Sequence, residues 1–323
     1  MVNSELTNTE NRGPTTEDRS SQDLKPDTQN PSGIVFACVA PHGWTLIPDL
    51  ADDPDDVQFT RGAMEELGRR FAAARPEVIV LATPHGFRVH DAVTFADVAR
   101  MAGTLHHAGK TAEMNVPVDR KLASSIAKTA RSRQIPVAMA GFAGNSESES
   151  AIPLDWGTFV PLWFMGYGRT MTGFGHVLAD KPEQEQGPPV VVINPARSLP
   201  WETNIRVGEA IADAAIRDGR RIAFVASCDW AHAHEGSRYG AHPAAAEVDG
   251  AVEAALRDND PGRLIDLDEA QVKHAAVDGL WQALILAGVM NRVPMQGEVL
   301  SYEIVRAYSV GMIVATYEPI PAI

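Results

Sequence analysis

The tripeptide Pro-His-Gly occurs twice in this chain, at 41–43 and at 84–86. Each copy follows a short apolar run, Ile34 to Val39 before the first and Val78 to Leu81 before the second. Imidazole is a common metal ligand and titrates near neutral pH, so two histidines in matching contexts are candidates for one site. A carboxylate partner is offered by Asp278, which opens the most apolar helical stretch of the chain, Val277-Asp278-Gly279-Leu280-Trp281-Gln282 and onward. Burying it unpaired would cost several kcal/mol. It is either a helix N-cap or a metal ligand, with Gln282 one turn further along the same face. Two histidines and a carboxylate that leave open positions are the ligand set of non-haem Fe(II) oxygenases, and zinc hydrolases use the same donors. A fourth group is Ser227-Cys228-Asp229-Trp230-Ala231-His232-Ala233-His234, again directly after an apolar run. One of its histidines could serve as a general acid/base. Cys228 beside His232 also admits a thiol-nucleophile reading.

These residues need elements that bring them to one place. Continuous apolar runs at Ile34 to Val39, Val78 to Leu81, Val190 to Ile193 and Ile222 to Ala226 read as parallel strands covered on both faces. Between the first two, Met64, Leu67 and Phe71 lie on one helical face, stopped by Pro76. Further helices are expected around Ile205 to Ile216, Ala244 to Leu256 and Val272 to Met290, with a last strand at Val310 to Tyr317. Gly141 to Ser150 and Asp180 to Pro189 read as loops. The rhythm is that of one α/β domain, and in open α/β sheets sites form at the carboxyl ends of the strands, where these histidines fall.

The 323 residues include 45% apolar and 22% charged side chains, enough for a packed core. The net charge of −14 argues against a nucleic-acid partner held by its phosphates. Cys38 and Cys228 make no disulfide framework. No secretory signal or bilayer-length apolar run is present, so no membrane association is expected and the expected setting is the cytoplasm. Gly166-Tyr167-Gly168 has Met171 where a dinucleotide fingerprint needs glycine, and no P-loop or nucleophile elbow occurs. Residues 1–32 are polar and Pro-containing, a composition that predicts a disordered tail before a folded domain at 33–323. Deleting residues 1–30 is therefore expected to leave the melting temperature and activity nearly unchanged. A large drop in either would mean that the tail packs on the domain.

Five segments in order resemble the class III extradiol ring-cleavage dioxygenases of the protocatechuate 4,5-dioxygenase β-subunit type. They are Ala40-Pro41-His42-Gly43 with Ile47-Pro48; Thr83-Pro84-His85-Gly86; Leu154-Asp155-Trp156-Gly157-Thr158-Phe159-Val160-Pro161-Leu162; Ala226 to His234 with Tyr239-Gly240; and Asp278-Gly279-Leu280-Trp281-Gln282. The resemblance covers about Ile34 to Pro319. It implies a central mixed β-sheet flanked by helices on both faces. It also implies Fe(II) held by His42, His85 and Asp278, with His232 as the catalytic histidine beyond the ligands. Asp278 stands where the better-known members carry Glu, and Trp156 where many carry a further active-site histidine. Asp155, Trp156, Thr158, His234 and Gln282 are the residues expected around the substrate, with Arg88, Arg197 or Arg238 holding a substrate carboxylate. The implied partners are a small aromatic substrate and O2, with a homodimer as the expected assembly and a separate small subunit in some relatives. The other readings are a zinc hydrolase on the same fold and a non-catalytic, Memo-like binding protein.

Overall fold

Apolar runs too continuous to face water on either side must lie in the middle of a layered structure, and they do. A computed structural model describes residues 33–107, 109–142, 150–167 and 187–321. The tail at 1–32 and most of the two loop segments lie outside the described residues. In chain order the strands are β1 (Gly33–Ala40), β2 (Val78–Ala82), β3 (Val93–Ala96), β4 (Arg100–His107), β5 (Lys110–Pro117), β6 (Val137–Ala140), β7 (Ala151–Pro153), β8 (Val190–Asn194), β9 (Arg221–Ser227), β10 (Met295–Val305) and β11 (Val310–Pro319). The helices are α1 (Gln58–Ala74), α2 (Arg120–Ser132), α3 (Trp156–Leu162), α4 (Trp201–Asp218), α5 (Ala244–Arg257), α6 (Glu269–His274) and α7 (Leu280–Arg292).

Eight strands form one sheet in the order β10-β11-β1-β9-β2-β8-β3-β6, and β5-β4-β7 form a second, smaller sheet. The four central strands β1, β9, β2 and β8 are mutually parallel. Antiparallel β11 on one side and β3 on the other make the sheet mixed, as expected. Alternation along each strand divides the core between two faces. Ala37, Val39, Val78 and Val80 point into a cluster with residues of α2, α4, α5 and α7. Phe36, Cys38, Ile79 and Leu81 point the other way, among residues of α1, α3 and the small sheet.

Helices α4 and α7 cross at a distance only glycine allows. A Cβ on Gly208 would lie 1.9 Å from the carbonyl oxygen of Ile285, and one on Gly288 1.8 Å from that of Ile205. The single helix expected from Val272 to Met290 is in fact two, α6 and α7. Ala276 sits between them at a φ of 53°, a left-handed conformation that ends one helix and re-aims the chain before the next. Asp278 lies in that link. The small sheet was not anticipated, because its polar, weakly alternating strands carry no continuous apolar run.

Candidate metal centre and active site

The carboxyl ends of β1, β2 and β9 are adjacent in the sheet, so the residues just past them meet. His42 Nε2 lies 3.1 Å from His85 Nε2, the two rings standing at 90°. Asp278 Oδ2 approaches both, at 3.7 Å from His42 and 3.5 Å from His85. Donor atoms from these three side chains all fall within 4.8 Å of one another. Asp278 is not an N-cap: the residue before α7 is Gly279, and no side chain caps that helix. Its Oδ1 is buried without a hydrogen-bond partner, a costly state in a protein interior and one that a cation would relieve. Two imidazoles and a carboxylate with a spare lone pair fit a divalent metal of the iron or zinc type.

Each donor is fixed by its own surroundings. His42 donates its backbone N–H to Asp229 Oδ1 at 2.9 Å, and its Nδ1 lies 2.9 Å from Ser227 Oγ. His85 sits in a turn held from two sides. Thr83 Oγ1 accepts its N–H at 3.2 Å, and Asn194 at the end of β8 donates to its carbonyl oxygen. Thr83 in turn donates to Asp155 Oδ1 at 2.7 Å, and Asp155 caps α3 by accepting from Thr158 N and Thr158 Oγ1. The start of α7 is pressed onto the loop after β9, since a Cβ on Gly279 would lie 2.7 Å from Asp229 O and from Cys228 Cβ. That approach is how the short side chain of an aspartate reaches the two histidines.

The electrostatics favour positive charge at the centre. Burial opposes a charge on His42, but the carboxylates of Asp229, Asp278 and Asp155 outweigh it and raise its pKa to about 9. Burial, followed by repulsion from His42, lowers His85 to about 3 against the pull of Asp278. Burial would raise Asp278, yet the neighbouring His42, His232 and His85 hold it below the usual carboxylate range, while burial pushes Asp229 up. A proton on His42 or a divalent ion at Nε2 would each balance the carboxylates, and an ion would displace that proton.

The cluster lies in a cleft of about 1520 Å³. His232 lines it, half-buried, with Nδ1 donating to Trp230 O at 2.8 Å, so Nε2 is the ring nitrogen outside that bond. Trp156 also lines it, 43% exposed, its indole over the His85 ring at 4.1 Å between centroids. Arg88, Arg197 and Arg238 all face the cleft, with Arg197 4.6 Å over the Trp281 ring and Arg238 donating to Tyr239 OH.

Not every expected residue reaches this cleft. His234 is buried and turned to Asp249, its Nε2 2.8 Å from Asp249 Oδ2. Asp155 and Thr158 are buried in the capping network behind His85, and Gln282 is wholly buried inside α7, with no partner for its amide. None of the four is among the lining residues. Cys228 is buried, donates to Gly279 O and has its pKa raised well above that of an ordinary thiol by burial, all of which argue against the thiol-nucleophile reading. Sequence reasoning named Ser227 and Asp229 only as members of the fourth group, with no role of their own, and did not name Asn194. Their signal was only that each lies at or just past the end of an apolar strand.

The family described as the catalytic LigB subunit of aromatic ring-opening dioxygenase matches residues 37–313. Protein CA_C1420 of Clostridium acetobutylicum is 24% identical over 266 residues, 81% of this chain and 53% of its own length, so the chain spans about half of that curated relative. The crystal structure of uncharacterized protein JW3007 from Escherichia coli K12 shares the fold, with a TM-score of 0.53 and 17% identity over 87% of this chain and 99% of that one. The family match runs from within β1 to within β11 and takes in His42, His85, Asp278 and His232: this chain belongs to the LigB family of aromatic ring-opening dioxygenase catalytic subunits.

Proposed function

We propose that the protein opens the ring of a catecholic, aminophenolic or dihydroxypyridine substrate with both atoms of O2, at an Fe(II) centre held by His42, His85 and Asp278. One observation carries the reading. Two imidazoles and a carboxylate converge on the wall of a cleft that also presents His232, held through Nδ1 by Trp230 O. Bound Fe(II) would supply the electronic link between the ring and O2.

The side chains supply binding and proton handling. His232 Nε2 accepts a proton from the substrate hydroxyl or amino group and returns it to the product. Its other nitrogen is tied to Trp230 O, so the ring cannot turn away. Trp156 covers one face of His85 and offers a flat wall against which a planar ring can lie. Arg88 and Arg197 make no ion pair among the described residues, and both face the cleft of an otherwise acidic chain. They are suited to a substrate carboxylate.

The test is O2 uptake by the full chain loaded anaerobically with Fe(II), over a panel of catechols, aminophenols and dihydroxypyridines with and without a carboxylate. One O2 consumed per substrate, with a new ring-opened absorbance, is the expected result. Arg197→Ala is expected to raise KM for carboxylated substrates by about tenfold, the loss of one charge-assisted contact, and to leave uncharged ones unaffected. A wild-type protein that binds no iron and consumes no O2 would sink the proposal.

A further inference from the structure

Helix α3 carries a proline inside it, Pro161. A prolyl nitrogen has no hydrogen, so the carbonyl four residues earlier, that of Gly157, has no donor at the position where a helix normally supplies one. Gly157 is buried, and a buried carbonyl must find another partner. It finds Ser227 at the end of β9, whose Oγ donates to Gly157 O at 2.5 Å. Gly157 has no room for a side chain here, since a Cβ would lie 2.5 Å from Thr83 Oγ1 and 3.1 Å from His85 Cδ2. The carbonyl and the serine are therefore packed between the two metal-facing histidines.

A serine hydroxyl has one hydrogen. A carbonyl can only accept, so that hydrogen is committed to Gly157 O. The second neighbour of Ser227 Oγ is His42 Nδ1 at 2.9 Å. The oxygen can only accept from it, so Nδ1 must carry a hydrogen. Nε2, the atom that faces His85 and Asp278, is then the nitrogen of His42 left to offer a lone pair. We infer that Pro161 and Ser227 act together to hold His42 with Nε2 as its metal-facing donor: the proline withholds an N–H, the Gly157 carbonyl takes the hydrogen of Ser227 instead, and Ser227 takes that of His42. Both are positioning residues, and the inference rests on the reading of His42 as a ligand. Neither touches the metal position, but an outer partner that fixes the tautomer of a ligating histidine commonly carries a 10–100-fold effect on affinity.

Two roles for Ser227 have to be separated, because it also satisfies a helix carbonyl. Ser227→Ala removes both. Pro161→Ala restores the N–H that the Gly157 carbonyl lacks, so the double variant Pro161→Ala/Ser227→Ala repairs the helix without repairing His42. The measurement is the Kd for Co(II) and for Zn(II), by competition with a chelating dye, beside the melting temperature of each full-length protein. Ser227→Ala is expected to weaken metal binding 10–100-fold. The double variant is expected to regain melting temperature and not affinity, while Ser227→Thr, which keeps the hydroxyl, is expected to stay within a few-fold of wild type. Affinity regained together with melting temperature in the double variant would overturn the inference and leave Ser227 a structural residue. So would a Ser227→Ala Kd within twofold of wild type. A wild-type protein that takes up neither metal would instead overturn the ligand assignment on which the inference stands.

Discussion

Alanine at His42 or at His85 is expected to abolish stoichiometric iron binding, whereas His232→Ala is expected to keep the iron and lose turnover by about 10²–10⁴-fold. The contrast follows from where the nitrogens are. His42 and His85 put their Nε2 atoms 3.1 Å apart beside Asp278, so either substitution removes a donor from a set of three. His232 is not in that set, and its ring is held by Trp230 O rather than by the cluster. Losing it leaves the donors in place and removes a proton acceptor. Metal content by mass spectrometry and O2 uptake on the same preparations measure both halves, with circular dichroism to confirm folding of the buried His42 variant. Iron retained at one equivalent in either ligand variant would show that the ligand set is wrong.

Asp249→Ala is expected to cost about 3 kcal/mol of stability, the sum of several buried hydrogen bonds of roughly 1 kcal/mol each. Asp249 on α5 is fully buried and accepts from three directions: Ala231 N at 2.9 Å, His234 Nε2 at 2.8 Å and Tyr302 OH at 3.0 Å. The glycine at 311 is what lets this carboxylate lie against β11, since a Cβ there would be 1.8 Å from Asp249 Oδ2. For a chain of this size the loss corresponds to a fall in melting temperature of roughly 5–10 °C. Two of the three bonds hold the loop from Cys228 to His234, so turnover should fall further than the melting curve alone would indicate, through loosened placement of His232. Asp249→Asn keeps an acceptor for Ala231 and is expected to lose less. Calorimetry on the three proteins is the check, and an alanine variant melting within 1 °C of wild type would show that Asp249 does not anchor this loop.

The parts of the fold that were legible are those where one physical signal dominated. Strands β1, β2, β8 and β9 are buried on both faces, so their sequences are unbroken apolar runs with clear ends. His42 and His85 could be singled out because they stand just past two of those ends. Asp278 stood out as a charge at the start of an apolar helix, yet sequence could not choose between cap and ligand. The choice depends on Ala276, whose left-handed φ no local preference of alanine forecasts. His234 lies outside the lining of the cleft for a related reason. It lies two residues from His232 in the same motif, but its partner Asp249 sits on a different element and only the folded chain brings them together. The antiparallel placement of β3, the pairing of β4 with β7 and the pairing of Ser227 with Gly157 are long-range, with no periodic trace in the sequence, whereas β4 and β5 form a local hairpin whose strands carry no continuous apolar run.

The strand order also has a consequence for synthesis. β1 ends at Ala40, but its neighbours in the sheet are β9, beginning at Arg221, and β11, beginning at Val310. β2 waits likewise for β8 and β9. At a translation rate of about 5–20 residues per second, two finished apolar strands leave the ribosome on the order of ten seconds before any partner strand exists. Long-range parallel pairing is also the slowest kind to form. Until then the apolar faces of β1 and β2 have no sheet partner, and recombinant yield is expected to be more sensitive to expression temperature than the stability of the finished domain would suggest.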